Sequence, residues 1–61
     1  MNGFADGFNA GYKDGLSGKS KNFQRHISIL KATLSSNYVN TFIKGYDEGF
    51  RKGILAKNEQ N

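Results

Sequence analysis

Residues 3–16 read GFADGFNAGYKDGL, and residues 41–54 read TFIKGYDEGFRKGI. Aligned at a constant offset of 38 residues, the two stretches share three glycines at four-residue spacing, each followed by an aromatic or aliphatic residue. An internal repeat at such an offset is typical of a duplicated structural unit. Two copies are too few for a solenoid, so we predict a duplicated helix within one small domain.

The four-residue spacing predicts an α-helix for each copy. A step of four residues advances about 40° net around a helix, so the glycines form one drifting stripe and the residues after them form a second. Asp6, Asn9, Lys13 and Asp14 are expected on the opposite, polar side of the first helix. The glycine stripes are Gly3, Gly7, Gly11 and Gly15 in the first copy and Gly45, Gly49 and Gly53 in the second.

So many glycines need a physical reason. Glycine in a helix interior is about 1 kcal/mol less favourable than alanine, whereas small residues at four-residue spacing let two helices approach closely. We therefore predict that the N- and C-terminal helices pack through their Gly-x-x-x-Gly faces, within one chain or between two. The alternative for residues 1–18 is a flexible, glycine-rich tail.

Aromatic residues border the glycines and could serve in either of two ways. They could fill the core beside the glycines of the partner helix, or some could stay exposed as a docking patch, since aromatic side chains are favoured anchors at interfaces. The residues concerned are Phe4, Phe8, Tyr12, Tyr38, Phe42, Tyr46 and Phe50.

The segment between the copies has the pattern of an ordinary amphipathic helix. Phe23, Ile27, Leu30 and Leu34 follow the spacing i, i+4, i+7, i+11, which is typical of one apolar helix face. Gly18 is expected to end the helix before it.

These patterns together predict one all-α, three-helix domain over residues 1–61. The helices are expected at about 3–16, 21–34 and 37–57, with a frayed tail at 58–61. A chain this short builds little core, and it has no cysteine to form a disulfide. Oligomerisation is the remaining common reinforcement of small scaffolds, so a homodimer is expected.

The composition also indicates whether a cofactor is expected and where in the cell the protein is expected. The single histidine and the five acidic residues are too few to predict a metal site, and no cofactor is expected. The N-terminus lacks a basic segment followed by an apolar run, so no signal peptide is predicted. No stretch approaches the roughly 18 apolar residues of a membrane-spanning helix. A cytoplasmic protein is the simplest expectation.

The net charge of +4 is concentrated in the middle of the chain, because residues 19–44 carry no acidic residue. A basic face there could contact the phosphates of a nucleic acid or an acidic partner. The alternative is an ordinary solvated polar face. The candidate contact residues are Lys19, Lys21, Arg25 and Lys31.

Motifs for catalysis are weak in this sequence. Residues 15–20 (GLSGKS) end like a phosphate-binding loop, but Lys13 stands where that motif needs its first glycine. His26 has no serine or cysteine in a recognisable arrangement, so it is expected to be a boundary histidine with a satisfied ring. Asp47 and Glu48 are adjacent and face different directions on a helix. We therefore predict no catalytic residues and no enzyme.

With aromatic residues beside its glycines, the repeat resembles that of a family of glycine-repeat adaptor proteins that act in iron–sulfur cluster delivery. The resemblance rests on spacing and covers about half the chain. It implies helices packed through glycine faces. The role in cluster delivery is not carried over, because this chain has fewer repeats, splits them into two blocks and contains no cysteine.

The functional hypothesis is a small protein-interaction module, a helical and oligomeric adaptor or inhibitor that docks on another protein. Its size and basic charge are typical of proteins encoded by phages or other mobile elements. The first alternative is a nucleic-acid-binding regulator that uses the basic middle helix. The second is a membrane-active peptide that inserts through its glycine stripes.

Overall fold

The computed structural model describes residues 3–27 and 36–59. This part of the chain contains two α-helices and a short 3-10 turn, and it contains no strand. Helix α1 spans Gly3–Ser17, the 3-10 turn spans Phe23–Arg25, and helix α2 spans Ser36–Glu59. The prediction of an all-helical fold is therefore confirmed for the described residues.

Helix α1 is a regular helix with a defined end, and the alternative of a flexible tail does not describe it. Gly18 adopts a left-handed conformation with φ of 77°. The Gly18 N–H donates to the carbonyl of Gly15 at 3.3 Å, and the Lys19 N–H donates to the carbonyl of Asp14 at 3.0 Å. These two bonds form the Schellman motif, in which glycine is favoured because it carries no Cβ. Gly18 thus ends the helix as predicted.

The two helices run parallel to each other. A Cβ built on Gly7 would lie 2.9 Å from the backbone nitrogen of Tyr46, and one built on Gly15 would lie 3.0 Å from that of Ile54. Contacts on both helices therefore advance in the same direction along the chain. The molecule is elongated, 41 × 17 × 13 Å, and the last residue of α1 and the first residue of α2 lie toward opposite ends of the pair.

The contacts across this pair are reciprocal. A Cβ on Gly7 would meet the backbone of Phe42, and a Cβ on Gly45 would meet the backbone of Phe4. Adding 38 to the α1 residue number and subtracting 38 from the α2 residue number converts the first pair into the second. Two further pairs behave in the same way: Gly11–Tyr46 with Gly49–Phe8, and Gly15–Phe50 with Gly53–Tyr12. The duplicated sequence thus forms a duplicated structure, with an approximate two-fold axis running along the pair.

The predicted middle helix at 21–34 is wrong in its described part, residues 21–27. Asn22 is extended, with φ of −154° and ψ of 94°, and its side chain accepts a hydrogen bond from the Gln24 N–H at 3.1 Å. The 3-10 turn closes when the His26 N–H donates to the carbonyl of Phe23 at 3.0 Å. A turn forms because tertiary contacts, described below, bind this segment to both long helices. Residues 28–34 of the predicted helix lie outside the described residues.

Helix α2 is longer than predicted at both ends. It begins at Ser36 rather than residue 37, and it includes Asn58 and Glu59, which the sequence predicts to be part of a frayed tail. No glycine or proline follows Gly53, so the sequence offers no signal that would stop the helix there. Residues 60–61 of the predicted tail lie outside the described residues.

The described core is small and lies on one side of the helix pair. It consists of Ile27, Phe42 and Tyr46, which are 9%, 3% and 1% exposed. The half-buried apolar residues that pack against it are Ala10, Phe23, Tyr38, Val39 and Phe50. Residues from the 3-10 segment therefore cover part of the aromatic row of α2.

Candidate functional site

The parallel helix pair has a groove on each side of its glycine contacts. The first groove is the one that contains the 3-10 segment. It lies between the α1 edge of Asp6, Ala10 and Asp14 and the α2 row of Tyr38, Phe42 and Tyr46. The second groove is its two-fold equivalent. It lies between the α1 row of Phe4, Phe8 and Tyr12 and the α2 edge of Lys44, Glu48 and Lys52.

A buried carboxylate occupies the first groove. Asp14 is 2% exposed, and its Oδ2 accepts hydrogen bonds from one side chain of α2 and two adjacent side chains of the connecting segment. The Tyr46 hydroxyl of α2 donates at 2.6 Å, Arg25 Nη1 lies at 2.7 Å and His26 Nε2 at 2.8 Å. The expected satisfied ring of His26 is confirmed at Nε2. The prediction that Asp14 lies on the polar side of α1 is wrong, because the returning segment covers this position.

The surroundings of Asp14 favour its charged form. Burial alone raises the pKa of the carboxyl, but the hydrogen bonds from Tyr46, His26 and Arg25 outweigh that effect and lower the pKa from 3.8 to about 2. Arg25 is held further by Ser20, whose carbonyl and hydroxyl oxygens lie 3.1 and 3.2 Å from the guanidinium. The cluster therefore joins both helices and the connecting segment through one ionised group.

Two tyrosines of α2 reach carboxylates of α1 along this groove. Tyr46 also accepts the Asn22 N–H at 3.0 Å, and the pKa of its hydroxyl is raised by burial and by the bond to Asp14. Eight residues earlier, the Tyr38 hydroxyl donates to Asp6 Oδ2 at 2.6 Å, and this bond raises the pKa of Tyr38. The α1 edge of the first groove is thus acidic, and Tyr38 and Tyr46 donate hydrogen bonds to its carboxylates.

The second groove presents aromatic rings in a row. The ring centroids of Phe4 and Phe8 are 6.4 Å apart, and those of Phe8 and Tyr12 are 6.3 Å apart. Phe4 is 44% exposed, whereas its two-fold equivalent in the first groove, Phe42, is 3% exposed. Within residues 3–27 and 36–59, the buried hydrophobic cluster includes no aromatic residue of α1. Phe42 and Tyr46 of α2 are therefore buried, whereas their equivalents on α1, Phe4 and Phe8, are exposed and half-buried.

The edges of the two grooves carry opposite charge. Asp6 and Asp14 on the first edge correspond, at the offset of 38, to Lys44 and Lys52 on the second. Lys44 and Lys52 are both exposed, and neither forms an ion pair with a carboxylate of the described part of the chain. Glu48, which lies between them, pairs with Arg51 at 2.9 Å. The second groove is thus aromatic with a basic edge.

The predicted basic residues do not gather on one helical face in the described part of the chain. Lys21 Nζ pairs with Asp47 Oδ1 of α2 at 2.9 Å, and Arg25 is bound to Asp14. Lys19 lies on the exposed connection just after α1. Lys31 lies outside the described residues. Two of these cations therefore bind the connecting segment to the helices.

Sequence reasoning missed Asp14, Lys44 and Lys52. Their signal is present in the repeat, because aligned positions keep their glycines and aromatic residues yet reverse their charge. The charge reversal indicates two grooves of opposite charge only when the helices are known to be parallel, because the parallel arrangement makes the two edges equivalent. The aromatic residues, expected either in the core or at a docking surface, divide between the two grooves.

Two further findings limit the chemistry of the described residues. Residues 3–27 and 36–59 hold no group of three or more histidine, cysteine, aspartate or glutamate side chains that could bind a metal ion. Neither helix in these ranges has the length and apolar character needed to cross a membrane.

No protein-family model matches the chain, and neither a curated protein nor a solved structure matches it. The likeness to iron–sulfur adaptor proteins is therefore one of glycine spacing alone. The fold and site define a small parallel helix pair with one covered acidic groove and one aromatic groove with a basic edge.

Proposed function

We propose that this chain is a small, non-catalytic protein-interaction module, an adaptor or inhibitor that docks on another protein through its second groove. One observation carries the proposal. The two grooves are equivalent by the internal repeat, yet Phe42 and Tyr46 of α2 are buried against Phe23 and Ile27. Their equivalents on α1 are less buried, because Phe4 is exposed and Phe8 is half-buried.

The residues of the second groove have the properties of docking anchors. Phe8 and Tyr12 are half-buried on a regular helix, so their rings are held in place before a partner arrives. Rigid aromatic side chains contribute large contact areas at little entropic cost, and they are enriched among the residues that dominate binding energy. Docking on a helix face is also a recurrent mode of peptide recognition.

A capture experiment tests the proposal. We expect the wild-type chain, immobilised and treated with nuclease, to retain a protein from extract of its native host. Tyr12→Lys should lose that protein because it places a charge in the aromatic row. Asn9→Lys introduces the same residue at an exposed position of α1 outside this row and should retain the protein. Equal capture by both variants, or recovery of nucleic acid without protein, would refute the proposal.

The proposed setting is the cytoplasm of a cell that carries a phage or another mobile element. Its support is the small size and the positive charge of the chain. An inhibitor of this kind needs only a stable scaffold and one docking face, and the second groove provides that face.

The predicted homodimer needs a separate test, a measurement of the mass in solution. The glycine stripes pack within one chain, so a dimer would need another surface. In an isologous interface the same patch meets itself, and a dimer through the second groove would place two basic edges in one interface. The homodimer therefore stays a prediction, and the mass in solution, compared with 6.8 kDa for one chain, decides it.

The alternatives have less support from the described residues. Nucleic-acid binding through the middle segment would use Lys21 and Arg25, which form ion pairs with Asp47 and Asp14 of the same chain. The triple variant Lys21→Ala, Arg25→Ala, Lys31→Ala should lose a salt-dependent affinity if that alternative is correct. Membrane insertion would use glycine stripes that already contact each other, and leakage from lipid vesicles tests it.

A further inference from the structure

We propose that the second groove binds a short protein segment in which an acidic residue lies between two apolar side chains four positions apart. This inference rests on the proposed function and specifies the partner. Its basis is that the molecule already contains a bound example of such a segment, with the opposite charge, in its first groove.

The bound example is the segment that crosses the first groove. Phe23 and Ile27 are four residues apart and pack in the hydrophobic cluster with Phe42 and Tyr46. Between these two anchors, Arg25 and His26 carry the polar contacts to Asp14 at 2.7 and 2.8 Å. The first groove thus recognises two apolar anchors together with positive or hydrogen-bond-donating groups between them.

The two-fold relation transfers this pattern to the second groove. Phe42 and Tyr46 correspond to Phe4 and Phe8, so the aromatic surface is retained. Asp14 corresponds to Lys52, so the charge that faces the middle of the segment is reversed. A segment that fits the second groove should therefore keep the two apolar anchors and carry aspartate or glutamate where the first segment carries Arg25 and His26.

The remaining charges agree with an acidic occupant. Lys44 lies on the same edge as Lys52, eight residues earlier, and neither has a carboxylate partner within residues 3–27 and 36–59. The one acid on this edge, Glu48, is paired with Arg51. The whole chain carries a net charge of +4, which favours encounter with acidic surfaces.

The charge of the second groove disfavours a second copy of this chain as the occupant. A segment 22–27 donated by another copy would place Arg25 and His26 near Lys52. Like charges brought together at an interface oppose binding. The occupant we infer is thus a different protein.

A peptide made from the chain's own segment tests this inference. The probe is a fluorescein-labelled peptide of residues 20–27 with Arg25→Glu and His26→Glu, and the comparison peptide has the natural sequence. Fluorescence anisotropy with the full chain at low salt should show about tenfold tighter binding of the acidic peptide. Equal affinity for the two peptides, or no measurable binding of either, overturns the inference.

Charge-reversal variants locate the binding site. Lys52→Glu should weaken binding of the acidic peptide about tenfold and improve binding of the natural one. Lys13→Glu changes the net charge equally at an exposed position of α1 outside the second groove, and it should change the affinity less than about twofold. Both variants should keep the wild-type unfolding midpoint. Equal losses in the two variants would show attraction to net charge alone and overturn the inference.

Further outcomes separate this inference from the proposed function. If Tyr12→Lys abolishes capture of a host protein but Lys52→Glu does not change peptide binding, the proposed interaction module is supported and the acidic partner segment is refuted. If a short single-stranded oligonucleotide binds more tightly than the acidic peptide and depends equally on Lys52, the ligand is a nucleic acid and both proposals fall.

Discussion

The hydroxyl of Tyr46 lies 2.6 Å from Oδ2 of Asp14 and joins the two parallel helices inside the first groove. The same carboxylate oxygen binds the connecting segment through Arg25 and His26. With a described core of three buried apolar residues, one ionised group that holds three parts of the chain has a large share in specifying the fold.

Asp14→Asn should destabilise the protein by about 1–3 kcal/mol, because an amide carries no charge to balance Arg25 and fewer acceptor sites for its donors. Urea unfolding followed by circular dichroism measures the change. The matched control is Asp47→Asn. It removes the carboxylate charge that pairs with Lys21, at a side chain that is 55% exposed. That variant should change stability by less than about 1 kcal/mol. Equal effects would show that burial of Asp14 contributes nothing.

Stability should fall in acid partly through Asp14. Its folded pKa, about 2, lies below the ordinary value of 3.8, so its contribution is complete above about pH 4 and is lost as the pH falls toward 2. The stability difference between the wild type and Asp14→Asn should shrink over the same range. Unfolding at a series of pH values measures it, and a difference that stays constant down to about pH 2 would contradict the assignment.

Tyr46→Phe should cost about 1–2 kcal/mol, because it removes the donor to Asp14 and the acceptor of the Asn22 N–H while retaining the ring. The pKa of Tyr46 is raised in the folded protein, so the hydroxyl's contribution is complete below about pH 10 and is lost as the pH rises through the folded pKa. The free energies of unfolding of the variant and the wild type should therefore become equal at high pH. Tyr12→Phe, whose hydroxyl lies in the other groove, is the control.

Gly11→Ala and Gly49→Ala should each destabilise the protein by about 1–3 kcal/mol, although alanine gains about 1 kcal/mol in helix propensity. The new methyl groups would meet the backbones of Tyr46 and Phe8, respectively, on the opposite helix. Because the two sites are two-fold equivalents, their losses should be similar. Asn9→Ala on the exposed side of α1 should be neutral or stabilising. Thermal unfolding tests all three, and a stabilised glycine variant would disprove close backbone packing.

Gly18→Ala should destabilise the protein by about 1 kcal/mol, because φ of 77° is unfavourable for a residue with a Cβ. Gly18→Asn should lose less, since asparagine tolerates this conformation better. The added Cβ would meet only the end of the flexible Lys57 side chain, so the loss reports backbone conformation. Equal losses in the two variants would indicate a steric cause instead.

The sequence was sufficient for the two long helices because their determinants are local. Glycines and aromatic residues at four-residue spacing define α1 and α2, and Gly18 marks where α1 ends. The predicted middle helix had an equally regular pattern, but Phe23 and Ile27 serve as anchors on α2. Contacts with residues that are distant in sequence override local helix propensity in this segment.

The candidate site could be predicted only in part, for the same reason. The spacing of Phe8 and Tyr12 in one row predicts that they are possible docking residues. The burial of Asp14 depends on which groove the connecting segment enters, and the spacing of residues along one helix contains no information on that choice. The opposite signs of Asp14 and Lys52 become informative only when they are compared across the parallel pair.

The parallel arrangement has a mechanical consequence. Gly3 and Glu59 lie at opposite ends of the helix pair, so a pulling force applied through these two residues acts along the helix axes. Such a force loads the glycine contacts in shear and all at once, whereas an antiparallel hairpin held by its neighbouring ends would open one turn at a time. We therefore expect the described helix pair to resist stretching better than an antiparallel hairpin with a core of the same size.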